Sequence, residues 1–133
     1  MRLFAYGTLR VHEIMQRIVN HEFESTNAVL ADYICLYVDS HLFPGIKPLS
    51  NEVTEGTLYE GIDDATMQKL DQYEGHIYIR KVISVKTNDG QKVDAFAYVV
   101  AEKFEYLLSN KRWTLEEFQL HHMADYINSH DMS

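Results

Sequence analysis

The sequence predicts an α+β fold: a small, mixed, mostly antiparallel β-sheet curled toward a barrel, with helices packed against it. Three observations carry that expectation. Runs rich in β-branched and aromatic residues recur along the chain, and two of them flank Asn88-Asp89-Gly90, a strong hairpin signal. Helical periodicity surfaces only in isolated stretches between those runs. The length of 133 residues, with 46% hydrophobic side chains, suits one domain around one core, residues 1–133 forming a single unit.

Residues 2–6 alternate and read as a short strand that enters a turn at Gly7. Residues 12–20 place Ile14 and Ile18 one turn apart, with Val19 beside them, so they read as a short amphipathic helix. Residues 27–39 read as a strand with a bend. Residues 41–49 hold both prolines, Pro44 and Pro48, and read as a loop. A strand is expected over residues 53–60. Residues 63–73 form a helix with acids in its first turn, where the macrodipole favours them, and Gly75 is placed to end it. Residues 78–87 and 92–100 are the two arms of the hairpin. Thr114-Leu115-Glu116-Glu117 matches a capping box, and Leu115, Phe118, Tyr126 and Ile127 mark the inner face of a last helix.

Composition narrows the function. A formal charge of −8 with no basic patch argues against nucleic acid as a partner. Apolar runs such as residues 95–101 are too short to cross a bilayer, and no secretory leader is visible at the N-terminus. The expectation is a cytoplasmic protein with no membrane partner. Cys35 is the single cysteine, in the apolar stretch Tyr33-Ile34-Cys35-Leu36-Tyr37, and reads as a small buried hydrophobe. His12-Glu13 opens like a zinc-protease motif, but Gln16 stands where the second histidine belongs. His121 and His122 are adjacent and diverge on a helix. With no phosphate loop or GxGxxG and no GxSxG elbow, neither a cofactor nor a metal is expected.

Glu74 stands out. It lies four residues after Leu70 and seven after Met67, on the stripe that should face the core. It also occupies the last turn, where the helix dipole disfavours a negative charge. Either the helix frays at Gly75 and Glu74 turns to solvent, or the carboxylate points into a cleft. In a cleft its pKa rises, which suits proton transfer near neutral pH. A second cue is Tyr6-Gly7-Thr8-Leu9, between a strand and a helix. Successive N–H groups in such a turn can form an anion-binding concavity, although an ordinary strand-to-helix turn has the same sequence.

These pieces, in this order, resemble the γ-glutamylcyclotransferase-like family. The similarity runs through Leu3-Phe4-Ala5-Tyr6-Gly7-Thr8-Leu9, Phe43-Pro44-Gly45, Gly56-Thr57-Leu58-Tyr59, Leu70-Asp71-Gln72-Tyr73-Glu74-Gly75, Tyr78-Ile79-Arg80-Lys81-Val82 and Ala95-Phe96-Ala97-Tyr98-Val99. The resemblance implies a small β-barrel with flanking helices. It implies that Tyr6, Gly7, Thr8 and Leu9 hold the glutamyl part of a small γ-glutamyl substrate through backbone N–H groups. It implies that Glu74 is the acid/base residue of a reaction releasing 5-oxoproline and a free amine. Tyr98 and Arg80 are further candidates for the pocket wall. Tyr98 alternatively fills the barrel with its hydroxyl satisfied, and Arg80 alternatively faces solvent. Gly75-His76-Ile77 looks shorter than in many relatives and borders the pocket mouth, where the leaving group would sit. The other function compatible with these features is a non-catalytic binding protein that keeps the same pocket for a small ligand.

Overall fold

The structure, a computed structural model, describes residues 1–129. Strand β1 (Leu3–Ala5) pairs antiparallel with β3 (Pro44–Tyr59) on one side and parallel with β5 (Lys92–Val100) on the other. β4 (Tyr78–Thr87) pairs antiparallel with β5. β2 (Ser25–Val38) pairs antiparallel with both β4 and β3, so the ring β1-β3-β2-β4-β5 closes. Closure removes the free edges that an open sheet would expose. A sixth strand, β6 (Leu108–Arg112), joins the far end of β2 through Leu36↔Arg112 and Val38↔Leu108.

The β4–β5 hairpin forms where the turn sequence places it. Gly90 takes φ 86°, and the Asp89 carboxylate accepts from the Gln91 N–H at 3.4 Å. The first half of β3 corrects the loop expected over residues 41–49, because the strand starts at Pro44 and runs through Pro48. Proline is tolerated at a strand's first residue and beside a bulge, and both conditions are met. Pro48 pairs with Tyr33, whereas the next pair on the far side of the irregularity is Ala31↔Val53. Residues 49–52 therefore stand opposite Asp32 alone. Asp32 and Asn51 adopt φ of 65° and 71°, and Asn51 N–H donates to Asp32 Oδ1 at 3.0 Å, so a side chain replaces the broken ladder. β6 and the 3-10 helix Glu102–Leu107 that leads into it carry no periodic signal and were not expected from the sequence.

Two apolar clusters share the barrel wall. Phe4, Leu30, Ile46, Leu58, Ala97 and Val99 fill the interior. Leu3, Ala5, Tyr59 and Tyr98 pack outward against the helices. Helix α1 (His12–Val19) contributes Ile14, Met15 and Val19 to the outer cluster and ends at Asn20 in the left-handed conformation. Helix α2 (Asp64–Glu74) starts where the Asp63 carboxylate accepts from Thr66 N–H at 2.8 Å, and stops at Gly75 with φ 86°. Its stripe residues Met67 and Leu70 are 2% and 0% exposed. Burial of each such side chain contributes about 1.5–3 kcal/mol.

The last helix is not uniform. Thr114 caps α3 (Leu115–Glu117) by accepting from Glu117 N–H at 3.2 Å. A π-helical stretch, Phe118–His122, precedes α4 (Met123–Ile127). Phe118 and Tyr126 would diverge by about 80° on an ideal α-helix. The wider π turn absorbs roughly one residue and brings both onto the sheet, 0% and 3% exposed.

Candidate functional site

Where β1 ends, α2 ends and α4 crosses, the molecule leaves a cavity of about 220 Å³. Its wall begins with the loop after β1. Tyr6, Gly7, Thr8 and Leu9 all line it. Gly7 is required by close approach, since a Cβ there would lie 2.8 Å from Pro44 Cγ. The chain then turns into a 3-10 helix at Thr8–Arg10, closed by Arg10 N–H to Gly7 O and Val11 N–H to Thr8 O, each 3.0 Å. The amides that open such a turn have no partner within it. Among the described residues no hydrogen bond ties the Gly7, Thr8 or Leu9 N–H to another group.

Glu74 enters from the opposite side. It is the last residue of α2, and the apolar stripe that buries Met67 and Leu70 turns its side chain into the cavity. The side chain is only half-buried by exposure, because the cavity reaches it, yet protein surrounds its carboxyl. Desolvation first, and the neighbouring Asp71 charge second, push its pKa from 4.5 to about 8. Among the described residues no side chain or backbone group hydrogen-bonds to that carboxyl, so its oxygens face the cavity.

Five tyrosines complete the wall: Tyr6, Tyr73, Tyr78, Tyr98 and Tyr126. Tyr6 hydroxyl donates to Tyr98 O at 2.5 Å, and Tyr78 hydroxyl to Pro44 O at 2.6 Å. Tyr73 hydroxyl meets Tyr126 hydroxyl and lies 3.3 Å from Thr8 Oγ1. Tyr98 hydroxyl donates to Asp71 Oδ1 at 2.7 Å. Burial raises the pKa of Tyr6, Tyr73, Tyr78 and Tyr98, and the Glu74 charge adds to it in each case. These phenols therefore stay neutral and shape the cavity without competing for its proton.

The sequence-based candidates divide. The structure gathers Tyr6, Gly7, Thr8, Leu9, Glu74 and Tyr98 around one cavity. Tyr98 satisfies both of its readings, as a barrel-wall aromatic with a bonded hydroxyl and as a cavity neighbour. Arg80 does not line the cavity. Its Nε lies 3.4 Å from Asp71 Oδ1 and its guanidinium rests 4.8 Å from the Phe96 ring centroid, on the outside of the hairpin. Sequence reasoning missed Tyr73, Tyr78, Tyr126 and Phe43 as wall residues, and Asp71 as the neighbour of Glu74. The available signal was faint: nine tyrosines in the chain, and an acid three residues before Glu74 on its own helix.

Other candidates are placed as follows. Cys35 is half-buried rather than fully buried, and desolvation still pushes its thiol up to about 12. His121 and His122 have ring centroids 6.3 Å apart, and no group of three potential metal ligands occurs among the described residues. No helix among them is long and apolar enough to span a membrane.

Comparison with known proteins gives one consistent answer. The family model "Gamma-glutamyl cyclotransferase, AIG2-like" matches residues 3–126. AIG2-like protein C of Arabidopsis thaliana is 27% identical over 128 residues, covering 96% of this chain and 74% of that protein. A solution structure of another Arabidopsis thaliana protein superposes with a TM-score of 0.75 at 23% identity, over 95% of this chain and 76% of that one. A structure described as gamma-glutamyl cyclotransferase superposes with a TM-score of 0.69 at 18% identity, over 76% of this chain and 66% of that one. The barrel, its flanking helices and the match along nearly the whole chain place the protein in the AIG2-like gamma-glutamyl cyclotransferase family.

Proposed function

We propose that the protein is a γ-glutamyl cyclotransferase that converts a γ-glutamyl amide into 5-oxoproline and a free amine or amino acid, with Glu74 as general acid/base. The geometry that carries this reading is an inward carboxyl facing unpartnered amides across a cavity of about 220 Å³, and burial raises that carboxyl toward the neutral range. The nucleophile is the substrate's own α-amine, so the chemistry asks for no reactive serine or cysteine. Holding the glutamyl chain folded, with that amine against its γ-carbonyl, supplies the proximity term. The Glu74 carboxylate takes a proton from the α-ammonium. The freed amine adds to the γ-carbonyl, and the N–H groups of Gly7, Thr8 and Leu9 are disposed to stabilise the oxyanion. Glu74 then returns the proton to the departing nitrogen as the amide C–N bond breaks, and relays the second proton of the ring nitrogen to the freed amine, leaving a neutral lactam and an ammonium product.

Glu74→Gln keeps the shape and removes the base. Assayed against a panel of γ-glutamyl amino acids and amines, it should release 5-oxoproline about 10²–10⁴-fold more slowly while calorimetry still detects substrate binding. Undiminished release by this variant overturns the assignment. Binding by the unaltered protein without turnover of any member of the panel fits a non-catalytic binding protein with the same pocket.

A further inference from the structure

Asp71 lies one helical turn before Glu74, outside the cavity wall, and two strands hold it. Tyr98 of β5 donates its hydroxyl to Asp71 Oδ1 at 2.7 Å. Arg80 of β4 reaches the same oxygen with Nε at 3.4 Å. Arg80 and Tyr98 are register partners across the β4–β5 hairpin. One cross-strand pair therefore grips one carboxylate oxygen, and stacking over Phe96 fixes the cation of that pair. The other acceptor sites of α2's last turn gain nothing comparable: Gly75 N–H to Asp71 O is long, at 3.3 Å, and the turn holds no basic residue.

We propose that Asp71, clamped by the Arg80–Tyr98 cross-strand pair, is a positioning residue that docks the end of α2 on the hairpin, aims Glu74 into the cavity and sets the pH at which Glu74 gives up its proton. The proposal rests on the reading of Glu74 as the acid/base group.

The argument is electrostatic as well as geometric. Side chains three apart on a helix have Cβ atoms about 5–6 Å apart, so two carboxylates at that spacing repel. The Asp71 charge is the second cause, after desolvation, of the raised Glu74 pKa. Arg80 is the one cation paired with Asp71 among the described residues, and it offsets part of that charge. The remaining titratable groups facing Glu74 are phenols. Tyr6 comes from the loop after β1, Tyr78 from β4, Tyr98 from β5 and Tyr126 from α4, with Tyr73 from α2 itself. Burial holds Tyr6, Tyr73, Tyr78 and Tyr98 neutral when Glu74 titrates, which leaves Asp71 and its Arg80 counter-ion as the charged tuning elements.

The two charges make opposite predictions, and that is the test. In Asp71→Asn the repulsion is gone while Tyr98 keeps an acceptor, so the Glu74 titration should move to lower pH by roughly half a unit to one unit. In Arg80→Gln the Asp71 charge is uncompensated, so the titration should move to higher pH, by less because Arg80 is partly exposed. Carboxyl-carbon NMR follows Glu74 directly in the full chain and needs no turnover. The acid limb of kcat/KM should move with it where the protein turns over a γ-glutamyl substrate. Shifts of the same sign in both variants, or no shift in either, overturn the proposal. NMR shifts of opposite sign in a protein with no cyclotransferase activity uphold the clamp and count against the reaction instead. Should Asp71→Asn fail to fold, Arg80→Gln and Tyr98→Phe carry the test. Tyr98→Phe removes the hydroxyl and keeps the ring. It should lower kcat more than it raises KM, and equal effects on both would count against positioning.

Discussion

A thiol and a carboxyl are both desolvated in this molecule, and their surroundings differ. Cys35 sits on β2, half-buried against the apolar barrel interior, and desolvation raises its pKa to about 12, with the Arg10 charge opposing. Glu74 sits at the end of α2, beside a cavity lined by phenols and backbone amides, and reaches about 8. Desolvation is the leading cause in both. For a thiol it moves the group out of the range where protons exchange, so the sulfur stays an unreactive hydrophobe. For a carboxyl the same force moves the group into the neutral range. Burial alone therefore does not mark a functional acid. What matters is where the shifted pKa lands, since Cys35 also adjoins a hollow, shared with Arg10 and Glu55.

The contrast can be broken most directly by removing each group. Glu74→Gln should reduce 5-oxoproline release by about 10²–10⁴-fold, the usual share of general acid–base catalysis. Cys35→Ala should leave the rate within about threefold, since no thiolate is available to act. Equal losses in the two variants would erase the distinction.

The apolar stripe behind Glu74 is the next lever. Leu70→Ala should lower the stability read from urea unfolding by about 2–5 kcal/mol, because a fully buried leucine leaves a cavity between α2 and the sheet. A cost below about 1 kcal/mol would mean that α2 is not anchored by that stripe.

pH sharpens the comparison further. The folded pKa of Glu74, about 8, exceeds its ordinary 4.5, so the folded chain holds that proton more tightly than the unfolded chain. Its contribution to stability is complete below about 4.5 and is lost as pH rises toward about 8. Urea midpoints should therefore fall between pH 5 and 8.5 in the unaltered protein and fall less in Glu74→Gln. Turnover runs the other way, since the base must be ionised, and kcat/KM should climb through pH 8. Parallel midpoint curves for the two proteins would show that Glu74 is not desolvated.

The smallest effect is local. Thr114→Ala should cost about 1 kcal/mol by leaving the first turn of the last helix uncapped, and thermal unfolding would register it. It should not alter the Glu74 titration, because the capping threonine does not line that cavity.

Asp63, Gly75 and the Met67–Leu70 spacing announce α2 and the face that Glu74 shares, because caps and helical periodicity act over a few residues. Asn88-Asp89-Gly90 likewise announces the β4–β5 hairpin, and Gly7 the turn beside the cavity. Short-range chemistry thus determined where the carboxyl and the loop stand along the chain. Only the closed sheet decided what they meet. β3 runs through two prolines because Asp32 and Asn51 bridge its break. Tyr126 reaches the wall because a π turn rotates it there. Tyr6, just past β1, converges with Tyr78 and Tyr98 because β1, β5 and β4 lie side by side in the sheet. Arg80 meets Asp71 outside the cavity for the same reason. Contacts between residues distant in the chain depend on strand order and register, and no window of sequence contains both partners.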